Sequence, residues 1–273
     1  MSNRKGERLT GWRRLAFATW RGPQADPSMR GHLVLDAGPA LAFIEQTRAR
    51  TGARVTLTHL AVKAVACAVA ANPDINVRRR GSRLVPRGSV DVSLVVAFDE
   101  GRQQAAMTIE DVPSKSVAGI AREVTERAGR LREAGTADLQ RAGGVIDRLP
   151  VPVLRAGVRF FSWLSADRNV DLTRFGFPEY GMRAGGFGSA LVSSVGMLGL
   201  DHGFPLLSPL SRVPIGVLVG KVSDRALVVD GTVQARPAFE MSFTLDHRYV
   251  DGWHVGHLAA ALRDYYADPE AFD

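Results

Sequence analysis

Cysteine is nearly absent: one residue, Cys67, in a chain of 273. That excludes a disulfide framework and any metal site built on thiolates. The apolar run AVKAVACAVA around it makes Cys67 core filler, and no metal ligand set is expected. Lysine is almost as scarce. Only Lys5, Lys63, Lys115 and Lys221 stand among 35 basic residues, which exceed 28 acidic ones to leave a formal charge of +7. That charge suits anionic partners but selects none. Aromatics make up 7% of the chain, and the densest cationic run, Arg78 to Arg83, contains none. It lacks the interleaved stacking residues of a surface that grips bases, reads as a solvated turn, and gives no reason to expect nucleic acid as a partner. No apolar run approaches the ~20 residues that span a bilayer. The nearest, Leu60 to Ala71, is broken by Lys63. The basic N-terminal stretch MSNRKGERLTGWRR has no apolar core or small-residue cleavage site. A soluble, cytoplasmic protein is expected.

What is present is ordinary globular composition, with 45% hydrophobic and 23% charged residues. Residues 39–50 have the pattern of a short amphipathic helix stopped by Gly52, and 55–71 that of a longer one ended by Asn72-Pro73. A strand–turn–strand follows, Asn76 to Arg80 and Leu84-Val85 around Gly81-Ser82. Ser89 to Phe98 then alternates as a central strand. Ser116 to Glu133 places Val117, Ile120, Val124 and Leu131 at helical spacing. Strands are expected at Ser189–Val195, Ile215–Val222, Ala226–Val229 and Glu240–Leu245. A last helix, Trp253–Ala267, follows with Asp251 as its N-cap. Mixed strands and helices with a strand-rich end make an α/β or α+β sandwich in one domain, 1–273.

Residues 136–188 stand apart, with clustered Gly, Pro and Arg around the apolar segment VPVLRAGVRFFSWLS. Val153, Leu154, Val158, Phe161 and Leu164 fall on one helical face, with Arg155 and Arg159 opposite. That face is expected to pack on its own domain or a neighbouring subunit. Membrane contact through 145–165 is not expected.

Of six histidines, His247 has the most suggestive setting. It follows a strand and precedes a turn and a helix, so a rigid element holds it where loops meet. Imidazole is also the side chain best suited to taking a proton near neutral pH. The string His247-x-x-x-Asp251-Gly252 is weak evidence taken alone.

Its surroundings add to it. Val228-Val229-Asp230-Gly231-Thr232-Val233-Gln234-Ala235-Arg236-Pro237 leads without a gap into Asp246-His247-Arg248. Upstream stand Leu191-Val192-Ser193-Ser194-Val195-Gly196-Met197-Leu198-Gly199, the opening Arg13-Arg14-Leu15-Ala16, and the helix 55–71 with its Asn72-Pro73-Asp74-Ile75-Asn76. In these motifs the chain resembles the catalytic domain of dihydrolipoamide acyltransferases of 2-oxo acid dehydrogenase complexes. It is more distantly similar to chloramphenicol acetyltransferase. The resemblance spans about residues 10–135 and 189–268 and implies a chloramphenicol acetyltransferase-like two-layer α/β sandwich, a mixed β-sheet with flanking helices.

The resemblance further implies a CoA-dependent acyltransferase, with CoA or acyl-CoA as substrate and a dihydrolipoyl-like thiol or a small molecule as acceptor. His247 would be the general base, its ring held by a bond to its own backbone so that Nε2 takes the proton. Ser193 would donate to the oxyanion, with Ser194 as the alternative if the alignment shifts by one. Asp251 would hold the catalytic turn through Arg13 or Arg14. Asp246, Ser194 and Gly252 would lie along the substrate channel. A homotrimer, or a multiple of trimers, would face His247 of one subunit with Ser193 of the next.

Departures bear on the acceptor. Ser194 replaces the family's Asn, Phe204 to Pro209 replaces a Pro-x-Ile-Asn-Pro stretch, and Gln103 to Met107 replaces an apolar run. Residues 136–188 are expected to be a family-atypical insertion. None of the four lysines has a lipoyl setting, so the chain is expected to carry no lipoyl group and to meet any lipoylated protein in trans. Two other readings belong beside this one. A non-catalytic trimeric assembly or regulatory subunit would gain nothing from keeping His247, Asp251 and Gly252. A peptide-synthetase condensation domain usually shows His-His where this chain has Asp246-His247, and is much longer.

Overall fold

The computed structural model describes residues 7–8, 27–98, 103–130, 150–175, 182–207 and 211–273. In chain order the strands are β1 (Glu7–Arg8), β2 (Ser28–Asp36), β3 (Val77–Arg80), β4 (Arg83–Pro86), β5 (Val92–Phe98), β6 (Gln103–Ile109), β7 (Ala190–Ser194), β8 (Ile215–Val219), β9 (Ser223–Val229) and β10 (Thr232–Asp246). The helices are α1 (Gly38–Thr51), α2 (Leu57–Ala70), α3 (117–130), α4 (Val151–Ser162) and α5 (Gly252–Ala267).

Six strands line up as β2-β10-β8-β7-β5-β6, and β9 pairs with β10. The two central pairings, β7–β8 and β5–β7, are parallel, and the remaining ones are antiparallel. The sheet is therefore mixed. Successive strand side chains point to opposite faces. Val192, Val217, Met241 and Leu245 join α1, α2, α3 and α5 in one buried core, whereas Ser193, Leu218 and Ser242 lie on the other face. The result is the two-layer α/β sandwich expected from sequence. A second small sheet, β1-β4-β3, carries the arginine run on its hairpin.

Local sequence accounts for the element ends. Gly52 closes α1 with φ of 67°. At the start of α2, Thr56 and His59 form a reciprocal capping box. That helix is buried on nearly every side. Its one charge, Lys63, is 2% exposed and donates to the carbonyls of Pro113 and Lys115 at 3.0 and 2.7 Å. Cys67 packs, partly buried, against the same core.

β10 differs from expectation. It runs for fifteen residues, whereas alternation reveals only Glu240–Leu245. Its first half pairs with β9 in a hairpin turned by Asp230-Gly231, both at positive φ, the signature of a tight two-residue turn. Arg236 and Pro237 mark the changeover into the main sheet. Arg236 forks onto Asp36 at 2.7 and 3.1 Å, and Asp36 also accepts from the Gly38 amide at the start of α1.

The apolar segment after residue 150 does form a helix, but its own domain does not cover it throughout. Val153 is 54% exposed and Phe160 52%. Beyond α4, a single wide turn at Trp163–Asp167 is tied to the main body. The Asp167 carboxylate pairs with Arg212, the Asp167 carbonyl accepts from Arg78, and the Gly185 carbonyl accepts from the half-buried Arg87. Burial pulls the Arg87 guanidinium down to about 10. No described helix is long and apolar enough to cross a membrane.

Candidate active site

β10 delivers His247 one residue past its end. The His247 amide donates to the Pro27 carbonyl at 2.9 Å, and the Asp246 amide to the Pro214 carbonyl at 2.9 Å. The amides of Tyr249 and Val250 both turn back onto the Asp246 carbonyl. The turn is thus sewn to the chain on both sides before α5 begins.

The imidazole is oriented within that turn. Nδ1 lies 2.8 Å from the Val250 carbonyl. A carbonyl only accepts, so Nδ1 carries the proton and the neutral ring presents Nε2 as its basic nitrogen. The Val250 carbonyl comes from a residue three further on, which the turn swings back under the ring.

Asp246, read from the resemblance as a channel residue, is 5% exposed and held by Arg248. Arg248 contributes its backbone amide at 2.9 Å, Nε at 2.9 and 3.1 Å, and a terminal nitrogen at 2.6 Å. Burial works against the guanidinium charge, yet hydrogen bonds and the field of Asp246 outweigh it and hold Arg248 above its usual range. Next to this pair, the buried Tyr249 hydroxyl is pushed up to about 12 by burial and by the Asp246 charge.

Asp251 caps α5. Its carboxylate accepts from the amides of Trp253 and His254 at 3.1 and 3.2 Å and lies 2.6 Å from His254 Nδ1. The expected tie to Arg13 or Arg14 falls outside the described residues. The N-cap role read from sequence is present, and His254 is the partner that sequence reasoning missed. Gly252 opens the helix at an exposed position.

Ser193 and Ser194 end β7 on opposite faces. Ser194 shares the side of Val192, and its hydroxyl is 3.4 Å from the Val219 carbonyl. Ser193 shares the side of Leu218 and Ser242, its successive partners across the sheet. The turn after it presses on the end of β8. A Cβ on Gly196 would sit 2.7 Å from the Gly220 carbonyl oxygen, which is why the motif needs glycine there.

Ser193 and His247 do not meet within one chain. Ser193 aligns through Leu218 with Ser242, two strands away, and His247 lies five residues beyond Ser242. At about 3.4 Å per residue and about 4.8 Å per strand, the offset is roughly 17 Å along the strands and 10 Å across them.

A cavity of about 310 Å³ adjoins the histidine turn on the helix side of the sheet, with Leu245 and Gly252 in its wall. Among the described residues no cluster of histidine, cysteine and carboxylates is arranged to hold a metal.

The profile of 2-oxoacid dehydrogenases acyltransferase (catalytic domain) matches residues 27–146 and 185–272. Over 235 residues the chain is 23% identical to the dihydrolipoyllysine-residue succinyltransferase component of 2-oxoglutarate dehydrogenase complex 1, mitochondrial, of Arabidopsis thaliana. That match covers 84% of this chain and 38% of that protein. The fold is similar to the crystal structure of a probable dihydrolipoamide acetyltransferase from Listeria monocytogenes, with TM-score 0.64 at 17% identity over 98% of this chain and 97% of that one. It is also similar to chloramphenicol acetyltransferase, with TM-score 0.50 at 16% identity over 96% and 100%. The chain spans less than half the length of the curated relatives it matches. With the histidine turn, the serine strand and most of the chain inside the matched stretches, this chain belongs to the family of 2-oxoacid dehydrogenase acyltransferase catalytic domains.

Proposed function

We propose that this chain transfers an acyl group between CoA and a thiol acceptor, with His247 as general base. One observation carries the reading: the Nδ1–Val250 carbonyl bond, which fixes the tautomer and makes Nε2 the nitrogen that exchanges protons. In the reaction Nε2 takes the proton of the attacking thiol as its sulfur adds to the thioester carbonyl. The tetrahedral oxyanion accepts a hydrogen bond from the Ser193 hydroxyl. The carbon–sulfur bond to the first carrier then breaks, and the departing thiolate recovers the proton from His247. A positioned base contributes about 10²–10⁴ in rate and an oxyanion donor about 10²–10³.

The distance between Ser193 and His247 within one chain supports a site shared by two subunits of a homotrimer, or of a multiple of trimers. So does the apolar surface past the serine strand, where Met197, Leu198, Leu200 and Leu206 are each at least half exposed. The acceptor this reading favours is a dihydrolipoyl group, carried on another protein or free. The 136–188 segment is read as an insertion into a single catalytic domain.

The test supplies acyl-CoAs and free dihydrolipoamide to the pure protein and quantifies released CoA by chromatography. Release that depends on dihydrolipoamide and is lost in His247→Ala is the expected result. Release that survives in the variant overturns the role of His247.

A further inference from the structure

We infer that Asp167 and Arg212 are positioning residues of the acyl-transfer site: their ion pair sets the loop on which the His247 turn is anchored. The inference rests on the acyl-transfer reading above and adds two residues that act on the imidazole only through the backbone.

The loop ahead of β8 and the histidine turn share a backbone bond. Asp246 donates its amide to the Pro214 carbonyl at 2.9 Å, and one step inward Leu245 faces Ile215 across the sheet. The Pro214 carbonyl is thus one outside anchor of the turn, and the Pro27 carbonyl, which accepts from the His247 amide, is another. Two residues before Pro214, Arg212 sits at φ of 54°, in the left-handed region that residues with a side chain disfavour. Val213 and Pro214 are buried, and the proline ring fixes its own φ. Little freedom therefore lies between Arg212 and the carbonyl that holds the turn.

The guanidinium accounts for the strain. Asp167 pairs with it, and the Ser162 hydroxyl accepts from its Nε at 3.2 Å. Ser162 and Asp167 are five residues apart, a spacing that in a regular α-helix points side chains about 140° from each other. They meet one guanidinium because the helix widens there. The Arg168 amide reaches back five residues to the Trp163 carbonyl at 3.1 Å. Wide turns of this kind are rare and are frequent at functional sites. Two unfavourable backbone conformations thus meet at one ion pair, and such strain persists only where its surroundings over-determine it. Ser162 and Asp167 lie between the two stretches that match the family profile, whereas Arg212, Pro214 and His247 lie within the second. The pair therefore joins an element outside the family pattern to a loop and a turn inside it. Asp167 also stands near the turn itself. After burial and the Asp246 charge, its charge adds to the forces that raise the Tyr249 hydroxyl, two residues past His247.

Nitrogen NMR of the full-length protein carrying labelled histidine reads the imidazole directly, with His247→Ala identifying its signals. The neutral wild-type ring should be protonated at Nδ1 alone. Asp167→Ala releases Arg212 and should turn this single tautomer into a mixture. The same variant should lower kcat for transfer to dihydrolipoamide about ten- to hundredfold, with KM for the CoA thioester within about twofold of wild type. Arg212→Gly takes the positive φ without steric cost and removes the guanidinium. It should behave alike, and it decides the matter should Asp167→Ala fail to fold. Because the pair acts as one unit, the double variant should be no worse than the more damaging single one. Folded variants that keep wild-type kcat and the single tautomer overturn the inference, even if they melt earlier, and leave the acyl-transfer reading standing. Losses that add in the double variant overturn it as well. A tautomer mixture in the variants of a protein that turns over no thioester supports the positioning role and overturns the acyl-transfer reading instead.

Discussion

Ser193 and His247 lie on opposite ends of the same sheet, two strands and five residues out of register. If they serve one reaction, each must do so across a subunit boundary. Ser193→Ala and His247→Ala proteins should each lose at least about 10² in turnover. Unfolded together in equal amounts and refolded, they should recover activity. Random assembly gives about one interface in four an intact serine facing an intact histidine, so the mixture should reach about a quarter of wild-type turnover. Activity that stays at the level of the separate variants would place both residues in one subunit's site or remove one of them from it.

The Asp246–Arg248 fork holds the turn from beneath. Asp246→Asn keeps the shape but leaves the guanidinium facing a neutral amide in a largely buried place. A loss of about 2 kcal/mol in urea unfolding is expected, from an interaction involving charged partners. Arg248→Lys should cost a similar amount, because an ammonium cannot reproduce a fork that meets both carboxylate oxygens. Since the pair acts through the orientation of His247, turnover should fall while the KM for CoA thioesters moves little. An unaltered melting profile in both variants would show the fork to be incidental.

Much of this arrangement is legible in the sequence. Alternation and turn residues place β5, β7 and the hairpin, and Asp251-Gly252 marks the start of α5. What is not legible depends on how the chain closes on itself. β10 is hidden because Arg236-Pro237 interrupts its alternation at the point where it leaves one partner for another. The acceptor of the His247 ring depends on a turn that brings Val250 beneath it, which residue identity does not reveal. Asp246 looks functional beside a histidine, but Arg248 two residues on claims it, and only burial distinguishes those roles.

Asp167 is one of the ties between the 136–188 segment and the main body, through Arg212 just ahead of β8. The Asp167 side chain is 8% exposed and that of Arg212 27%, so removal of the carboxylate leaves a partly buried cation without its partner. Asp167→Ala should lower stability by about 1–3 kcal/mol, which for a chain of this size is about 3–10 °C in calorimetric Tm. An unchanged Tm would mean that the segment rests on the body without holding it.

His59 should make the protein lose stability in mild acid. Its Nδ1 accepts the Thr56 amide at 3.1 Å as half of the capping box of α2, so the ring must be neutral there. Burial first, and the Arg48 charge second, pull its pKa from 6.5 down to about 4. In the unfolded chain the ring protonates near its ordinary value, so between those two values the unfolded state binds more protons. Stability is therefore full above about pH 6.5, falls as pH drops toward about 4, and levels off below that. The upper bound of the loss from this one group is about 3 kcal/mol. His59→Gln preserves the capping box, since a glutamine carbonyl can accept the same amide, and removes the titration. Urea melts from pH 7 to 4 should show a steeper decline for wild type than for His59→Gln, with the two curves diverging below about pH 6.5. Parallel curves would mean that the His59 ring takes its proton at the same pH in the folded and the unfolded chain, and that the acid sensitivity of the fold comes from its carboxylates.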